Sequence, residues 1–477
     1  MSETPTAYQD GWKIFKDPIH GYIDMHPLCV KIIDTEEFQR LRYIKQLGFC
    51  YLVFPGAAHN RFEHSLGVGH LARKFCSKLQ QTQPELGITD KDVLCVHVAG
   101  LCYDLGHGPF SHMFERFTKA VGKSRPHEQT SVAMFDHLIE VNQLEGEFKR
   151  FDLDEKDITF IKELIDKEEK KKESPHPRRP SFLYEIVANT RNGIDVDKWD
   201  YFLRDCHHLG IACSFDWDRY MECSCVSTDA SGVKMICSRE KEVENLYDLF
   251  GTRRSLHRKA YQHKVANIIE IMTVEALVEA KDHFKIQGKE GRMLTIGEAI
   301  DDMVAYTKLT DDVILQLMRS LDENLKVSRE ILKRVQKRQF YKYIGQARSK
   351  KKEIFPHDKI PTFVEEILSN MKLGAPLTEE QLVIDLVNFD YGMGRKNPIE
   401  NVRFYYKENP GKAEFIAKEK VSWMLPKQFS EQQIRVYCKP LDQESVRKAA
   451  ECVKKWCADK GYLYTGPGEF TIDVSSE

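Results

Sequence analysis

The chain of 477 residues has no apolar run long enough to cross a bilayer, no internal repeat and no surplus of charge. Its 71 Lys and Arg residues stand against 73 Asp and Glu, a net charge of −2. A membrane-spanning reading is therefore excluded. So is wholesale electrostatic capture of nucleic acid, although local basic patches stay open. The first ten residues are polar and carry no apolar core, so they do not read as a secretory signal. The 13 cysteines are scattered and odd in number. That suits reduced thiols in the nucleus or cytoplasm better than a disulfide framework.

What remains is globular: 42% hydrophobic, 30% charged, and too long for one ordinary core, so two or three lobes are expected. Residues 1–11 read as a disordered lead. The run Asp34-Thr35-Glu36-Glu37 reads as a capping box for a helix with Phe38, Leu41 and Ile44 on one face, closing at Gly48. Helical periodicity marks the segments after His127 and Glu155, a segment through Trp199 broken near Gly193, and one long tract from Leu246 to about Phe284. The basic, proline-bearing stretch around Arg178 reads as a solvated loop. Beyond about residue 336, alternating strands and a helix from Ser445 suggest a smaller α+β lobe, 336–477, after a larger segment, 12–335.

The densest chemistry lies between Ala58 and His112. His59, His64, His70, Asp104, His107 and His112 fall among apolar and small residues. An apolar helix entered at Asp90 ends at Tyr103-Asp104, stopped by Gly106, Gly108 and Pro109. Polar, ligand-capable groups thus stand at the end of a buried helix. Alone, a His on an apolar helix is more often a core residue with a satisfied hydrogen bond. His64, Asp104 and Asp197 together offer one imidazole and two carboxylates, a set able to hold iron, manganese or magnesium.

The order His64, then a dyad ending in Asp104, then Asp197 resembles the HD-domain metal phosphohydrolases. FKDPIHGYI, FPGAAHNRFEHSLG, DLGHGPFSHMF and NGIDVDKWDYF extend the likeness to the SAM-and-HD-domain deoxynucleoside triphosphate triphosphohydrolases over nearly the whole chain, without their SAM module. The resemblance implies a mainly α-helical HD domain with a smaller C-terminal α+β lobe. It implies release of deoxynucleoside and inorganic triphosphate from dNTPs, using iron, zinc or manganese at the HD site and magnesium on the phosphates. The family has His where this chain has Tyr103. Phenol must lose a proton with a pKa of about 10 before it ligates, so weakened metal binding and reduced turnover are expected.

By the same resemblance His107, His112, Glu115 and His127 take part in catalysis, with His112 as acid to the leaving 5′-oxygen. Glu115 stands where the family usually has Asp. Arg61, Lys198, Arg253 and His257 match phosphate-binding positions. Gln46, Tyr201 and Asp205 match readers of the sugar 3′-hydroxyl. Leu47 and Tyr261 complete that pocket. Activation by GTP and dNTPs through homotetramer formation is also implied. Asp34, Gln39 and Arg42 match guanine-reading positions. Lys13, Ile14, Val53, Arg219, Arg239 and Lys241 match other regulatory positions, as do Asn245, His263, Lys264 and Lys439. Lys16 replaces the family's Asn.

Three other readings stay open. Cys206, His207 and His208 with Cys223 and Cys225 could suggest zinc, but the spacing fits no common finger, which favours reduced structural thiols. An HD site also serves nucleases and phosphodiesterases. A strip of Arg253, Arg254, Arg258 and Lys259 could contact single-stranded RNA or DNA in an oligomer that has lost turnover.

Overall fold

Two capping boxes start the helices that carry the histidine-rich stretch. The Glu63 carboxylate accepts the Asn60 N–H at 2.8 Å, and α1 runs Arg61–Thr82. The Asp92 carboxylate accepts the Thr89 N–H at 2.9 Å, the Thr89 hydroxyl accepts the Asp92 N–H at 3.2 Å, and α2 runs Asp90–Cys102. The computed structural model describes residues 11–171, 178–370, 377–416, 421 and 426–467. The polar lead before Gly11, the centre of the basic loop and part of the expected late strands, residues 417–420, lie outside these.

Four further helices complete the site-bearing core: α3 His112–Ala120, α4 His127–Val141, α5 Glu155–Ile165 and α6 Val196–Leu209. Gly210, at φ 65°, ends α6 in the left-handed conformation that glycine adopts without strain. α6 lies against α1, where Trp199 meets Phe75 at a ring distance of 5.2 Å; Leu71, Val98, Leu101 and Phe202 are fully buried in the same core. No helix among the described residues is long and apolar enough to cross a membrane.

Two expected helices are corrected. Asp34 ends the preceding helix Pro27–Ile33, and Thr35 is the true N-cap, its hydroxyl accepting the Phe38 N–H at 3.3 Å. The helix it starts lasts only Glu36–Gln39, then tightens into a 3-10 turn, Arg40–Tyr43. There Arg40 turns inward and donates to the carbonyls of Leu105 (3.1 Å) and Leu309 (2.9 Å), contacts that periodicity does not encode. The tract from Leu246 is also not one helix. α7 (Val243–Leu256) widens into a π turn, His257–Tyr261, before α8 (Lys264–Ala280) restarts from His263, whose Nδ1 accepts the Val265 N–H at 3.2 Å. Such turns re-aim side chains, and this one carries His257 and Tyr261.

Strands occur early and late. β1 (Lys13–Asp17) pairs antiparallel with β2 (Gly21–Met25). β3 (Ser224–Thr228) and β4 (Lys234–Arg239) are antiparallel. The C-terminal sheet holds β5 (Lys342–Ser349), β6 (Leu382–Asp390), β9 (Ser430–Cys438) and β10 (Tyr462–Thr465) in the antiparallel order β10-β5-β9-β6. It packs on the helices Ile360–Leu368 and Gln443–Lys460 through Ile344, Phe363, Val436 and Trp456. Two late strands, β7 (Phe404–Tyr406) and β8 (Asn409–Glu414), close with β3 and β4 into a four-stranded ring. Chain beyond residue 336 therefore pairs directly with chain before it.

Candidate active site

His64, Asp104 and Asp197 come from α1, the end of α2 and the first turn of α6. One ligand-capable atom from each lies within 4.8 Å of the others. His64 is fully buried, and its Nδ1 stands 2.7 Å from Asp200 Oδ2. A carboxylate only accepts, so Nδ1 carries the proton and Nε2 faces the opposite way. Nε2 lies 3.1 Å from Asp104 Oδ2 and 3.2 Å from Asp197 Oδ1, yet it is buried without a hydrogen-bonding partner. Burial draws the imidazole pKa down, but Asp104, Asp197 and Asp200 outweigh it and hold His64 well above its ordinary value. Three convergent anionic or lone-pair donors around an orphaned nitrogen fit a divalent cation, which would replace the proton that the carboxylates otherwise attract.

Behind His64 stands a buried network that motif reading did not reach. Arg204 forks onto both oxygens of Asp200 at 2.9 and 2.8 Å and reaches Asp17 Oδ2 at 2.8 Å. His20 Nε2 adds a contact to Asp200 Oδ1 at 2.7 Å. Burial would raise the Asp200 carboxyl, but Arg204 first, then His20 and His64, hold it well below the usual range. Gly67 makes room: a Cβ there would stand 1.8 Å from Asp200 Oδ1. The readable signal was the Asp200–Arg204 pair at i, i+4 on a helix face.

Tyr103 occupies the C-cap of α2. Burial, then Asp197 and Glu128, push its phenol well above the ordinary value, so it stays neutral and a poor ligand. Its ring meets His127 edge-on at 6.3 Å; its carbonyl accepts from Ser131 Oγ at 2.7 Å, while among the described residues its hydroxyl has no hydrogen-bonding partner.

His107, His112, Glu115 and His127 form a second convergent group. His127 Nδ1 lies 2.7 Å from Glu115 Oε1, and His112 Nδ1 lies 3.4 Å from Glu115 Oε2. Burial lowers the pKa of His127, but Glu115, with Glu128 and Asp104, outweighs it and leaves it raised. His107 stacks on His127 at 4.0 Å with neither ring nitrogen bonded. Burial, then Arg61 and His127, hold it well below its ordinary value, so it is neutral. The His112 side chain is 68% exposed. The turn before it is strained, with Phe110 and Ser111 both at positive φ (56° and 58°). Asp311 pins it, accepting the N–H of Phe110 at 2.6 Å and of Lys45 at 2.8 Å. Asp311 was not read from the sequence.

Both groups open into one cavity of about 710 Å³. Arg61 lies in its floor, paired with Asp104 and donating to Ser111 Oγ at 2.9 Å. Asp205 holds His59 Nε2 at 2.7 Å and accepts the Tyr261 hydroxyl. Tyr201, Gln46, Leu47 and His257 also line the space, and burial, with Arg253 and His112, pulls His257 down to about 3. Arg253 lines it too, donating to the Asp390 carbonyl and carboxylate at 3.0 Å. Lys198 does not line it. Its ammonium is held by Asp195 at 2.9 and 3.0 Å and faces a neighbouring space of about 510 Å³, which Tyr103 also borders. Unforeseen wall residues come from the late chain: His357, Asp385 and Asn388. Arg116, on α3, reaches Asp385 at 3.0 Å and Glu270 of α8 at 3.3 Å.

The positions to which the resemblance assigns a regulatory role fall on separate surface patches. Lys13 pairs with Asp34 at 3.1 Å beside half-exposed Ile14; Gln39 accepts from Arg42 at 2.7 Å. Arg219 and Asn245 both hold Glu242, at 2.8 and 3.0 Å, near Arg239 and Lys241. Val53, His263 and Lys264 gather at the start of α8, and Lys439 pairs with Glu275 near the other end of that helix. No metal-capable group among the described residues includes a cysteine, and all 13 thiols are free. In the basic strip, Arg258 pairs with Glu431 and Arg253 with Asp390.

The triad helices define an HD-type metal site, and a family model described as HD domain matches residues 61–205. The bovine protein named deoxynucleoside triphosphate triphosphohydrolase SAMHD1 is 52% identical over 94% of this chain and 79% of its own length. The human protein of that name is 50% identical over 96% and 76%, and the Dictyostelium discoideum homolog is 37% identical over 94% and 82%. The chain belongs to the SAMHD1 family of HD-domain proteins.

Proposed function

We propose that the chain is a metal-dependent hydrolase that splits dNTPs into deoxynucleoside and inorganic triphosphate. The observation that carries this is the orphaned His64 Nε2 facing two carboxylates at the floor of a cavity lined by Arg61, Arg253 and the Asp205–Tyr261 pair. His64, Asp104 and Asp197 would hold the divalent ion: iron, zinc or manganese, with magnesium accompanying the phosphates. When bound, such an ion neutralises phosphate charge and makes water a nucleophile near neutral pH. His112 protonates the leaving 5′-oxygen, oriented by Glu115, which also holds His127. Neutral His107 contacts phosphate, with Arg61 and Arg253. Asp205, Tyr201 and Gln46 read the 3′-hydroxyl, and Tyr261 packs where a ribose 2′-hydroxyl would stand.

Tyr103 leaves the ion with three protein ligands, and turnover is reduced. GTP and dNTPs gather copies of the chain into a homotetramer through these surface patches. They have intrachain partners in the single chain, as Lys13 has Asp34, and exchange them for nucleotide and neighbour on assembly. Anion-exchange analysis of dGTP products tests the reading. Deoxyguanosine and tripolyphosphate in equal amounts support it; pyrophosphate or a nucleoside monophosphate would replace it with a diesterase. Light scattering with GTP plus dATP tests assembly, and an unchanged mass would refute that part.

A further inference from the structure

Asp311 stands at the N-cap of the helix Asp312–Arg319, yet its side chain caps nothing there. An Asp at such a position ordinarily accepts an N–H of its own helix. Here both carboxylate oxygens reach back across the chain. Oδ1 accepts the Phe110 N–H at 2.6 Å and Oδ2 the Lys45 N–H at 2.8 Å, while the Asp311 N–H donates to the Tyr43 carbonyl at 3.0 Å. One carboxylate therefore bridges two walls of the cavity. Lys45 leads into Gln46 and Leu47, and Phe110 leads through Ser111 into His112. A second bond ties the same two segments, from the Ser111 hydroxyl to the Lys45 carbonyl at 2.7 Å. The chain just before Asp311 is anchored to this region too: the Tyr306 hydroxyl donates to the Gly106 carbonyl at 2.9 Å, and the Leu309 carbonyl accepts from Arg40 at 2.9 Å. We propose that Asp311 is a positioning residue that holds the His112 turn at a fixed distance from the Gln46 segment, so that the acid stands at the leaving 5′-oxygen while the sugar is bound.

In the proposed function His112 is the general acid, and the role of Asp311 rests on that reading. The His112 side chain is largely exposed and its contact with Glu115 is long, at 3.4 Å. The place of its ring therefore depends on the backbone from which it leaves. That backbone is strained, since Phe110 and Ser111 both adopt positive φ. Residues with a side chain hold such a conformation only where their surroundings impose it. Asp311 imposes it through a charge-assisted hydrogen bond, and the stacking of Phe110 on Phe49 at 4.1 Å adds to the constraint. An Asn at this position would accept one N–H through its carbonyl oxygen, but its amide nitrogen would meet the other N–H donor against donor. It would keep one wall and release the other. An Ala would release both.

The test compares dGTP with an analogue carrying sulfur in place of the 5′-bridging oxygen. A thiolate leaves without a proton, so the placement of the acid governs the first substrate and not the second. Each variant is made in the chain and in its Tyr103→His form, loaded with manganese. Asp311→Asn should lower kcat for dGTP by about tenfold or more, with KM little changed, and leave the rate on the sulfur analogue within about twofold. Amide exchange at Phe110 and Lys45 should quicken in Asp311→Ala. Leu317→Ala, on the buried face of the helix that Asp311 starts, should lower the melting temperature and leave the ratio of the two rates as it was. His112→Gln should show the same selectivity as Asp311→Asn. If His112→Gln slows both substrates alike, the reading of His112 as the acid falls and the role of Asp311 with it. If His112→Gln is selective while Asp311→Asn slows both substrates alike or neither, the proposal alone is overturned, as it is by unchanged exchange at Phe110.

Discussion

On the α6 side of the candidate metal centre, His64 rests on Asp200, and Asp200 rests on Arg204 and His20. On the α2 side, Tyr103 stands beside the same carboxylates with a neutral phenol that has no hydrogen-bonding partner among the described residues. The first wall is buried, whereas Tyr103 is half-buried and borders two cavities. Removing one member of a paired, buried set strands its partners, whereas removing an unpaired hydroxyl strands nothing. The first wall therefore fixes where a cation sits, and the second mainly shapes the space beside it.

The largest effect should come from Asp200→Ala, which leaves Arg204 and His64 uncompensated. Urea unfolding should show a loss of about 3–5 kcal/mol, against less than about 1 kcal/mol for Tyr103→Phe. Equal losses would erase the distinction between the walls. Next, Tyr103→His should raise metal affinity by about tenfold or more and raise dGTP turnover with it. Unchanged content and rate would mean that the α2 wall does not limit the ion.

Glu115→Gln comes third, through pH. Burial would raise the Glu115 carboxyl, but His112 and His127 draw it below its ordinary value, and Glu115 in turn raises His127. The carboxylate's contribution is present above its unfolded pKa of about 4.3 and fades as pH falls toward the depressed value. The imidazolium's contribution is full below about pH 6.5 and is lost as pH rises through the raised one. The difference in melting temperature between wild type and Glu115→Gln should therefore peak between those limits and shrink at pH 9; a gap that grows with alkalinity would be the wrong sign. The smallest effect is Lys13→Ala. Its pair with Asp34 is more than half exposed on both sides, so unfolding should change by under about 1 kcal/mol, while GTP-dependent assembly weakens.

Much of this was readable in advance. Asn60, Thr89 and Gly210 announce the ends of their helices, and the order His64, Asp104, Asp197 survives folding as a cluster. What escaped depends on distance in sequence. Arg40 bends its helix by reaching carbonyls at Leu105 and Leu309. Asp311 pins a strained turn two hundred residues earlier. Asp385 and Asn388 enter the cavity from a sheet whose pairing no local pattern specifies. Lys198 shows the opposite case: a motif position whose nearest carboxylate, Asp195, holds it in the neighbouring space.

The most direct test is metal content per chain after loading with manganese and desalting, compared between Tyr103→His and the same variant with His64→Ala. One equivalent in the first and none in the second is the predicted result. The same content in both would show that the orphaned imidazole nitrogen and its two facing carboxylates do not hold the ion.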